Sequence, residues 1–261
     1  MDRTLRVGNT ELHVRIGGQP GAPWLVLSNS LGAALDMWDP QVVALSRDFR
    51  LLRYDTRGHG GSSVPPGPYT MEQLGGDVLG LLDTLGIARA HFCGLSLGGA
   101  TGLWLATHAP ERIERLVLCN TTPWLGPPAL MDERIAVVRR EGIAALVPGI
   151  MQRWFTADTC LRQAALVEQV RQTLLNTPVA GYIGCCEALR DMDQRAELTR
   201  VTAPTLVIAG SFDPAPTPAA AREWASGIAG ARLVELPAAH LSNIGAAEEF
   251  TRRVRDFLRA D

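Results

Sequence analysis

The sequence predicts an α/β fold, with a mostly parallel sheet, helices on both faces and a helical lid inserted in the core. Three observations predict it. Short apolar runs typical of buried strands alternate along the chain with amphipathic helical patterns, as in parallel sheets covered by helices. The alternation is interrupted once, by a stretch with helical patterns alone. With 261 residues, 46% of them hydrophobic, the chain is long enough to bury one large core.

The predicted strands begin with a hairpin and continue as buried runs. Alternating segments at 4–7 and 11–16 flank a Gly-Asn-Thr turn, which predicts an antiparallel hairpin at the edge of the sheet. The later strands are continuous apolar runs, as is typical of parallel strands buried on both faces. These runs span residues 24–28, 49–54, 91–94, 113–119, 205–209 and 232–236.

Helical patterns are clearest in two segments, 71–85 and 246–258, where apolar residues recur on one helical face. From 123 to 199 the apolar spacing is helical, with no intervening strand pattern. We therefore expect a helical lid at 123–199, inserted into a core made of residues 1–122 and 200–261.

Composition excludes several classes of protein. The 25 basic and 27 acidic residues give a formal net charge of −2 and are interspersed, so we expect neither a nucleic-acid partner nor a membrane partner. The five cysteines have no metal-ligand spacing, which indicates buried thiols in a reducing compartment and no structural metal. The first residues lack the apolar core of a signal peptide, so we expect a cytoplasmic protein.

The strongest chemical motif is a serine between two glycines, Gly94-Leu95-Ser96-Leu97-Gly98. An apolar run precedes it and helix-forming residues follow, so a strand, a tight turn and a helix are predicted in that order. A turn of this kind holds the serine hydroxyl at the surface of a pocket, as in a nucleophile elbow. Ser96 is therefore the candidate nucleophile.

A serine hydroxyl needs a neighbouring base, and that base needs an anion to fix its tautomer. Asp213 follows the run 205–209 and His240 follows the run 232–236, and the carboxyl ends of parallel strands meet at one edge of a sheet. The order Ser, Asp, His agrees with such a triad. Two alternatives stay open: Asp213, followed by Pro214, could begin a turn, and His240 could simply open the last helix.

Acyl transfer also needs two donors for the developing oxyanion. We expect one to be the backbone N–H of Leu97, directly after the serine, and the other to be the N–H of Leu31, in the turn after the run 24–28. Asp55 is a rival acid, but it precedes the serine in a glycine-rich loop. We interpret Asp55 and Arg57 as residues that organise that loop.

These motifs resemble the α/β-hydrolase superfamily over essentially the whole chain and, more narrowly, the 3-oxoadipate enol-lactonases of bacterial aromatic catabolism. In many superfamily members a His-Gly pair precedes the oxyanion residue, whereas this chain has Asn29-Ser30, as enol-lactonases do. The matching stretches are 27–32, 54–60, 93–99 and 239–243, together with 153–156 and 181–193 in the lid.

The resemblance implies a serine hydrolase that opens 3-oxoadipate enol-lactone to 3-oxoadipate in the β-ketoadipate pathway, without cofactor or metal. This lactone carries a free carboxylate, which calls for a cation in the pocket. Arg134 is the first candidate. The rival interpretation of Arg134 is an exposed charge on a lid helix, and rival cations are Arg139, Arg140 and Arg153.

Two tryptophans of the predicted lid, Trp124 and Trp154, are candidate walls of the substrate pocket, because such pockets are largely apolar and aromatic. Either could instead belong to the core of the lid. Because the lid selects the substrate, alternative functions are a carboxylesterase or perhydrolase of the same fold. Another is a non-catalytic ligand-binding protein. Exposed apolar lid faces leave a homodimer open.

Overall fold

A computed structural model describes residues 1–260. Its strands are β1 (Asp2–Val7), β2 (Thr10–Gly18), β3 (Trp24–Ser28), β4 (Arg50–Tyr54), β5 (Ala90–Leu95), β6 (Ile113–Cys119), β7 (Thr205–Gly210) and β8 (Arg232–Leu236). They form one sheet in the order β1-β2-β4-β3-β5-β6-β7-β8. The pairs β1·β2 and β2·β4 are antiparallel and the other five pairs are parallel. The predicted mostly parallel sheet and its edge hairpin are confirmed.

Helices cover both faces of this sheet and also form the connection between β6 and β7. None of the helices within residues 1–260 combines the length and apolarity needed to cross a bilayer. They are α1 (Asp39–Leu45), α2 (Met71–Thr84), α3 (Leu97–His108), α4 (Ala129–Glu141), α5 (Val147–Trp154), α6 (Ala157–Arg162), α7 (Ala164–Leu175), α8 (Val179–Asp191), α9 (Pro218–Ala225), α10 (Ser242–Gly245) and α11 (Ala247–Leu258).

Two apolar clusters, one on each face of the sheet, make up the core. Successive strand side chains point to opposite faces, so Leu25 and Leu27 of β3 join one cluster and Val26 joins the other. The central strands β5 and β7 are buried at every residue, which is why these segments are mostly apolar rather than alternating. The cluster that contains Leu25 also takes in side chains of α4, α5, α7 and α8.

The segment from α4 to α8, called the lid segment below, lies directly on the core. A Cβ atom on Gly181 of α8 would approach the backbone oxygen of Gly58 to 2.1 Å, so the absence of a side chain at Gly181 allows the two backbones to touch. At the ends of the segment Trp124 forms an antiparallel bridge with Asp193. Helices without a named strand occupy this part of the described chain, whereas the domain boundaries at 123 and 199 stay a prediction.

The cysteines depart from expectation at one position. Four of them, Cys93, Cys119, Cys185 and Cys186, are buried free thiols. Cys160 is exposed, so the prediction that all five are buried is wrong. Cys160 lies on α6, a helix of only six residues in which Thr159 alone is buried, and the thiol falls on its solvent side.

Candidate active site

Ser96 occupies the turn between β5 and α3 in a conformation that is rare for a residue with a side chain. Its φ of 57° and ψ of −113° lie in a region that costs about 1–3 kcal/mol for a non-glycine residue. Backbone hydrogen bonds hold it there: its N–H donates to the Cys119 carbonyl at 2.9 Å, and its carbonyl accepts from Thr121 Oγ1 at 2.8 Å. The serine therefore sits on the strained elbow that the motif predicts.

The two glycines of the motif are required by close backbone approaches. A Cβ on Gly94 would come within 2.1 Å of the Gly98 oxygen, and a Cβ on Gly98 within 2.2 Å of the Ser28 oxygen. Any side chain at either position would push the strand, the turn and the helix apart. The glycines thus let α3 begin directly behind the serine.

His240 and Asp213 meet at the carboxyl edge of the sheet, where the chain leaves β8 and β7. The His240 Nδ1 atom lies 2.7 Å from Asp213 Oδ2, and the two residues are only 1% and 2% exposed. Asp213 Oδ1 accepts from the Ala215 N–H at 3.1 Å, so Asp213 also initiates the turn considered as its alternative role. His240 lines the same cavity as Ser96, and within residues 1–260 its buried Nε2 has no hydrogen-bond partner.

The electrostatics of this pair favour a neutral imidazole beside an ionised carboxylate. Burial opposes the charge of Asp213, but hydrogen bonds from His240 and Asn120 outweigh it, and the pKa of the carboxyl lies below its ordinary value. Burial lowers the pKa of His240; the charge of Arg153 lowers it further, and the bond to Asp213 offsets only part of this. A neutral His240 that donates from Nδ1 presents a free electron pair at Nε2.

Asn120, which the sequence analysis missed, positions the acid. Its Nδ2 donates to Asp213 Oδ2 at 2.9 Å, and its Oδ1 accepts from Ser242 Oγ at 2.6 Å. A positive φ of 46°, which asparagine tolerates better than most residues, turns it into the site. One sequence feature could have found it: Asn120 directly follows β6, between the strands that carry Ser96 and Asp213.

The turn after β3 faces the elbow and is fixed on both sides of Leu31. The Gly32 N–H donates to His59 Nε2 at 3.0 Å, and burial lowers the pKa of His59, which keeps that nitrogen an acceptor. The Asn29 carbonyl accepts from the Gly98 N–H at 2.9 Å and ties the turn to the elbow. Leu31 lines the cavity, and the N–H of Leu97, first in α3, has no intrahelical acceptor.

Asp55 and Arg57 organise the neighbouring loop, as expected. Asp55 Oδ1 accepts from the Leu35 N–H at 2.7 Å and Oδ2 from the Gly61 N–H at 2.9 Å. Arg57 is bound at two atoms by the buried carboxylate of Asp77, at 2.6 and 2.7 Å. Neither side chain lines the cavity that contains Ser96.

A cavity of about 470 Å³ lies above the serine, between the sheet edge and the lid segment, which is within the range of small-molecule sites. Most of its wall is apolar and comes from the lid segment, from residues 120–125 that precede it, and from the loop 214–217 that leads into α9. Its lining residues are Leu31, Ser96, Ala100, Asn120, Thr121, Thr122, Trp124, Leu125, Leu130, Met131, Arg134, Arg153, Leu189, Met192, Pro214, Ala215, Pro216, Thr217, Ala220 and His240.

The lid residues singled out in the sequence divide into two groups. Trp124, Arg134 and Arg153 line the cavity. Trp154 does not: it is 1% exposed and lies in the apolar core, so its interpretation as a pocket wall is wrong, because α5 turns this side chain inward. The rival cations, Arg139 and Arg140, have side chains that are 62% and 66% exposed and pair with Glu187 and Glu141, which do not line the cavity.

The chain is similar to known proteins over nearly its whole length. A family profile for the alpha/beta hydrolase fold matches residues 23–247. The chain is similar to 3-oxoadipate enol-lactonase 2 of Acinetobacter baylyi, with 39% identity over 98% of this chain and 96% of that protein. It is also similar to a putative carbamate hydrolase, RutD, of Stutzerimonas stutzeri, with 34% identity over 95% of each chain.

A solved structure gives a closer match. The crystal structure of the enol-lactonase from Burkholderia xenovorans LB400 superimposes with a TM-score of 0.97 at 53% identity, covering 99% of this chain and 100% of that one. The resemblance to enol-lactonases drawn from the sequence motifs is thereby confirmed.

Proposed function

This chain belongs to the α/β-hydrolase family and is a hydrolase, and on that premise we propose that it opens 3-oxoadipate enol-lactone to 3-oxoadipate. The observation that carries the proposal is the position of Ser96, which lies on a strained elbow and shares a cationic cavity with the His240–Asp213 pair. The similarity to enol-lactonases supports the choice of lactone.

The first half of the proposed reaction forms an ester on Ser96. His240 Nε2 takes the hydroxyl proton as Oγ attacks the lactone carbonyl. The carbonyl oxygen becomes an oxyanion, which accepts hydrogen bonds from the N–H groups of Leu31 and Leu97. The ring C–O bond then breaks. Its oxygen leaves as an enolate and takes the proton from the His240 imidazolium, which makes His240 neutral again. The resulting enol becomes the ketone by tautomerisation, so the ring opens while the acyl group stays on the serine.

The second half releases the product. Water gives a proton to His240 Nε2 and attacks the ester carbonyl, the same two N–H groups stabilise the second oxyanion, and Ser96 Oγ leaves with the proton from His240. A new carboxylate forms at the elbow. Asp213 stays ionised throughout and stabilises the imidazolium in both halves.

Other substrates use the same machinery. A carboxylesterase, a perhydrolase and a carbamate hydrolase need only the elbow, the base and the oxyanion donors, and the similarity to RutD makes a carbamate the strongest of these competitors. A non-catalytic binding protein is the least favoured, because it has no need for a strained serine. The cytoplasmic location and the homodimer expected from the sequence stay predictions.

Substrate preference is the direct test. We expect purified enzyme to remove the absorbance of the enol-lactone with a kcat/KM at least 100-fold above its values for p-nitrophenyl acetate and for an N-alkyl carbamate ester. The extra binding energy of a carboxylate is the physical reason, since about 2.7 kcal/mol gives a factor of 100. Equal or faster turnover of the aryl ester or the carbamate would reject the lactone assignment while leaving the hydrolase intact.

The pH dependence of kcat/KM should report His240. Because the base works in its neutral form, and because burial and the charge of Arg153 lower the pKa of His240, the neutral form persists at lower pH than for an ordinary histidine. We expect the acid limb of kcat/KM to have a midpoint below 6.5, the ordinary value of this pKa. A midpoint above 6.5 in a pH series at constant ionic strength would contradict this assignment.

A further inference from the structure

Two guanidinium groups in the wall of the cavity have no carboxylate among residues 1–260 to neutralise them. Arg134 comes from α4 and Arg153 from the last turn of α5, and both line the cavity. Within residues 1–260 neither forms an ion pair with a carboxylate. The described lining contains no aspartate or glutamate, and the nearby Asp213 is already engaged by His240 and Asn120.

Arg153 is the less ordinary of the two, because its Nε is buried and lacks a hydrogen-bond partner in the described chain. The charge of Arg134 adds to this cost: burial, followed by the repulsion from Arg134, lowers the pKa of Arg153. Elsewhere the chain compensates a buried arginine fully, since Arg57 is held by Asp77 at 2.6 Å. A buried polar group of a charged side chain is stable only when something compensates it, so Arg153 is suited to bind an anion that enters the cavity.

The main chain fixes Arg153 relative to the catalytic base. Its carbonyl accepts from the His240 N–H at 3.3 Å, and the Trp154 carbonyl accepts from the Leu241 N–H at 3.2 Å. The end of α5 is therefore attached to the loop that carries His240. Burial of the Trp154 side chain in the core anchors the same turn. An anion bound to Arg153 would therefore lie in the same cavity as Ser96 and His240.

We propose that Arg153 and Arg134 together form a carboxylate subsite, which holds the free carboxylate of the substrate while Ser96 attacks the other end. The proposal rests on the proposed function for the identity of the substrate. Two arginines around one carboxylate satisfy more of its oxygen lone pairs than one can. Both arginines are half-buried, and Arg153, a rival cation in the sequence analysis, is the one whose Nε is buried without a partner in the described chain.

The product has a consequence for this subsite. Ring opening leaves a six-carbon dicarboxylate, with one carboxylate at the elbow and the other at the arginines. Adipate has two carboxylates at the ends of a six-carbon chain and lacks the ketone, so it should bind across both positions. A neutral molecule of similar length, hexane-1,6-diol, should not.

The experiment is calorimetric titration of the full-length protein with adipate at constant ionic strength, which requires no turnover. We expect Kd to rise at least tenfold in Arg153→Gln, as for the loss of a charged hydrogen bond, and by less in Arg134→Gln. Arg153→Lys should keep part of the affinity. The matched control is Arg139→Gln, another arginine of the lid segment that pairs with Glu187 outside the cavity, and its Kd should equal that of the wild type.

The pH profile of kcat/KM gives a second readout, which would stay unchanged if Arg153 had only a structural role. His240 faces three charged groups, namely Asp213, Arg153 and Arg134, and the latter two lower its pKa. The acid limb of kcat/KM should therefore move to higher pH in Arg153→Gln and stay in place in Arg153→Lys. If circular dichroism shows that Arg153→Gln does not fold, the subsite is tested by the Kd of Arg134→Gln for adipate and by the comparison of adipate with hexane-1,6-diol in the wild type.

Several results would overturn the subsite: adipate that binds Arg153→Gln as tightly as the wild type, hexane-1,6-diol that binds as tightly as adipate, or wild-type protein that binds neither. These outcomes differ from failure of the proposed function. Adipate binding that depends on Arg153, in an enzyme that does not open the enol-lactone, would keep the subsite and reject the substrate. Rapid opening of the lactone, with no effect of Arg153→Gln on the Kd for adipate or the KM for the lactone, would keep the substrate and reject the subsite.

Discussion

Replacement of Ser96 by alanine is expected to lower kcat for the enol-lactone by about 10⁴- to 10⁶-fold, as for loss of the nucleophile in other serine hydrolases with a triad. Removal of Oγ leaves His240 with no proton to take and the substrate with no atom to form the ester. The oxyanion donors and the arginines remain, so KM for the carboxylated lactone should change little. Absorbance assays at high enzyme concentration measure the residual rate.

Stability should not fall with activity in this variant. The Ser96 side chain forms no hydrogen bond that caps α3, and its backbone bonds to Cys119 and Thr121 do not involve Oγ. A Tm within about 3 °C of the wild type is expected, since a change of 1 kcal/mol shifts the Tm of a domain of this size by about 2–4 °C. A matched control is Ser226→Ala at a surface helix end, which should keep full activity. An active Ser96→Ala enzyme would refute the mechanism.

The fold was predictable because its main determinants are local. Segments 24–28, 113–119 and 232–236 have the bounds of β3, β6 and β8, since each is a continuous apolar run between turn residues. The placement of Ser96, Asp213 and His240 at one edge of the sheet followed from chain order and from the rule that parallel strands end at one edge. Its partners lie far apart in sequence, but the topology brings every strand end to the same place.

The orientation of the lid side chains was less predictable, because a side chain there can face either the apolar core or the largely apolar cavity. Trp154 and Arg153 are neighbours on α5, and the sequence alone does not say which of them faces the cavity. The structure buries the tryptophan and places the arginine in the wall of the cavity, against the usual tendency of arginines to face solvent. The orientation of α5 about its own axis decides which side chain faces the cavity. Packing against the core beneath the helix sets this orientation, and local sequence propensity does not.

Asn120 shows a second limit of sequence reasoning. Its hydrogen bonds to Asp213 and Ser242 join residues that are 93 and 122 positions away. An asparagine after a strand is ordinarily a turn residue, so only the three-dimensional arrangement reveals that it supports the acid.

Exchange of that acid, Asp213→Asn, is expected to lower kcat by roughly 10⁴-fold, with little change in KM for the lactone, because the exchange alters the tautomer of the base rather than the binding site. The carboxylate accepts hydrogen bonds on both oxygens: from His240 and Asn120 on Oδ2 and from Ala215 on Oδ1. An amide has one accepting oxygen, so one of these two sides must face an NH₂ group.

If the NH₂ group faces His240, Nδ1 must accept, the ring proton moves to Nε2, and His240 can no longer take the proton of Ser96. If the NH₂ group faces Ala215 instead, two donors meet there and the imidazolium loses its counter-charge. Either orientation lowers the rate, and the first removes the base altogether. The control Asp158→Asn, on the exposed face of α6, should keep the wild-type kcat; an Asp213→Asn enzyme within tenfold of the wild type would show that Asp213 does not set the tautomer of His240.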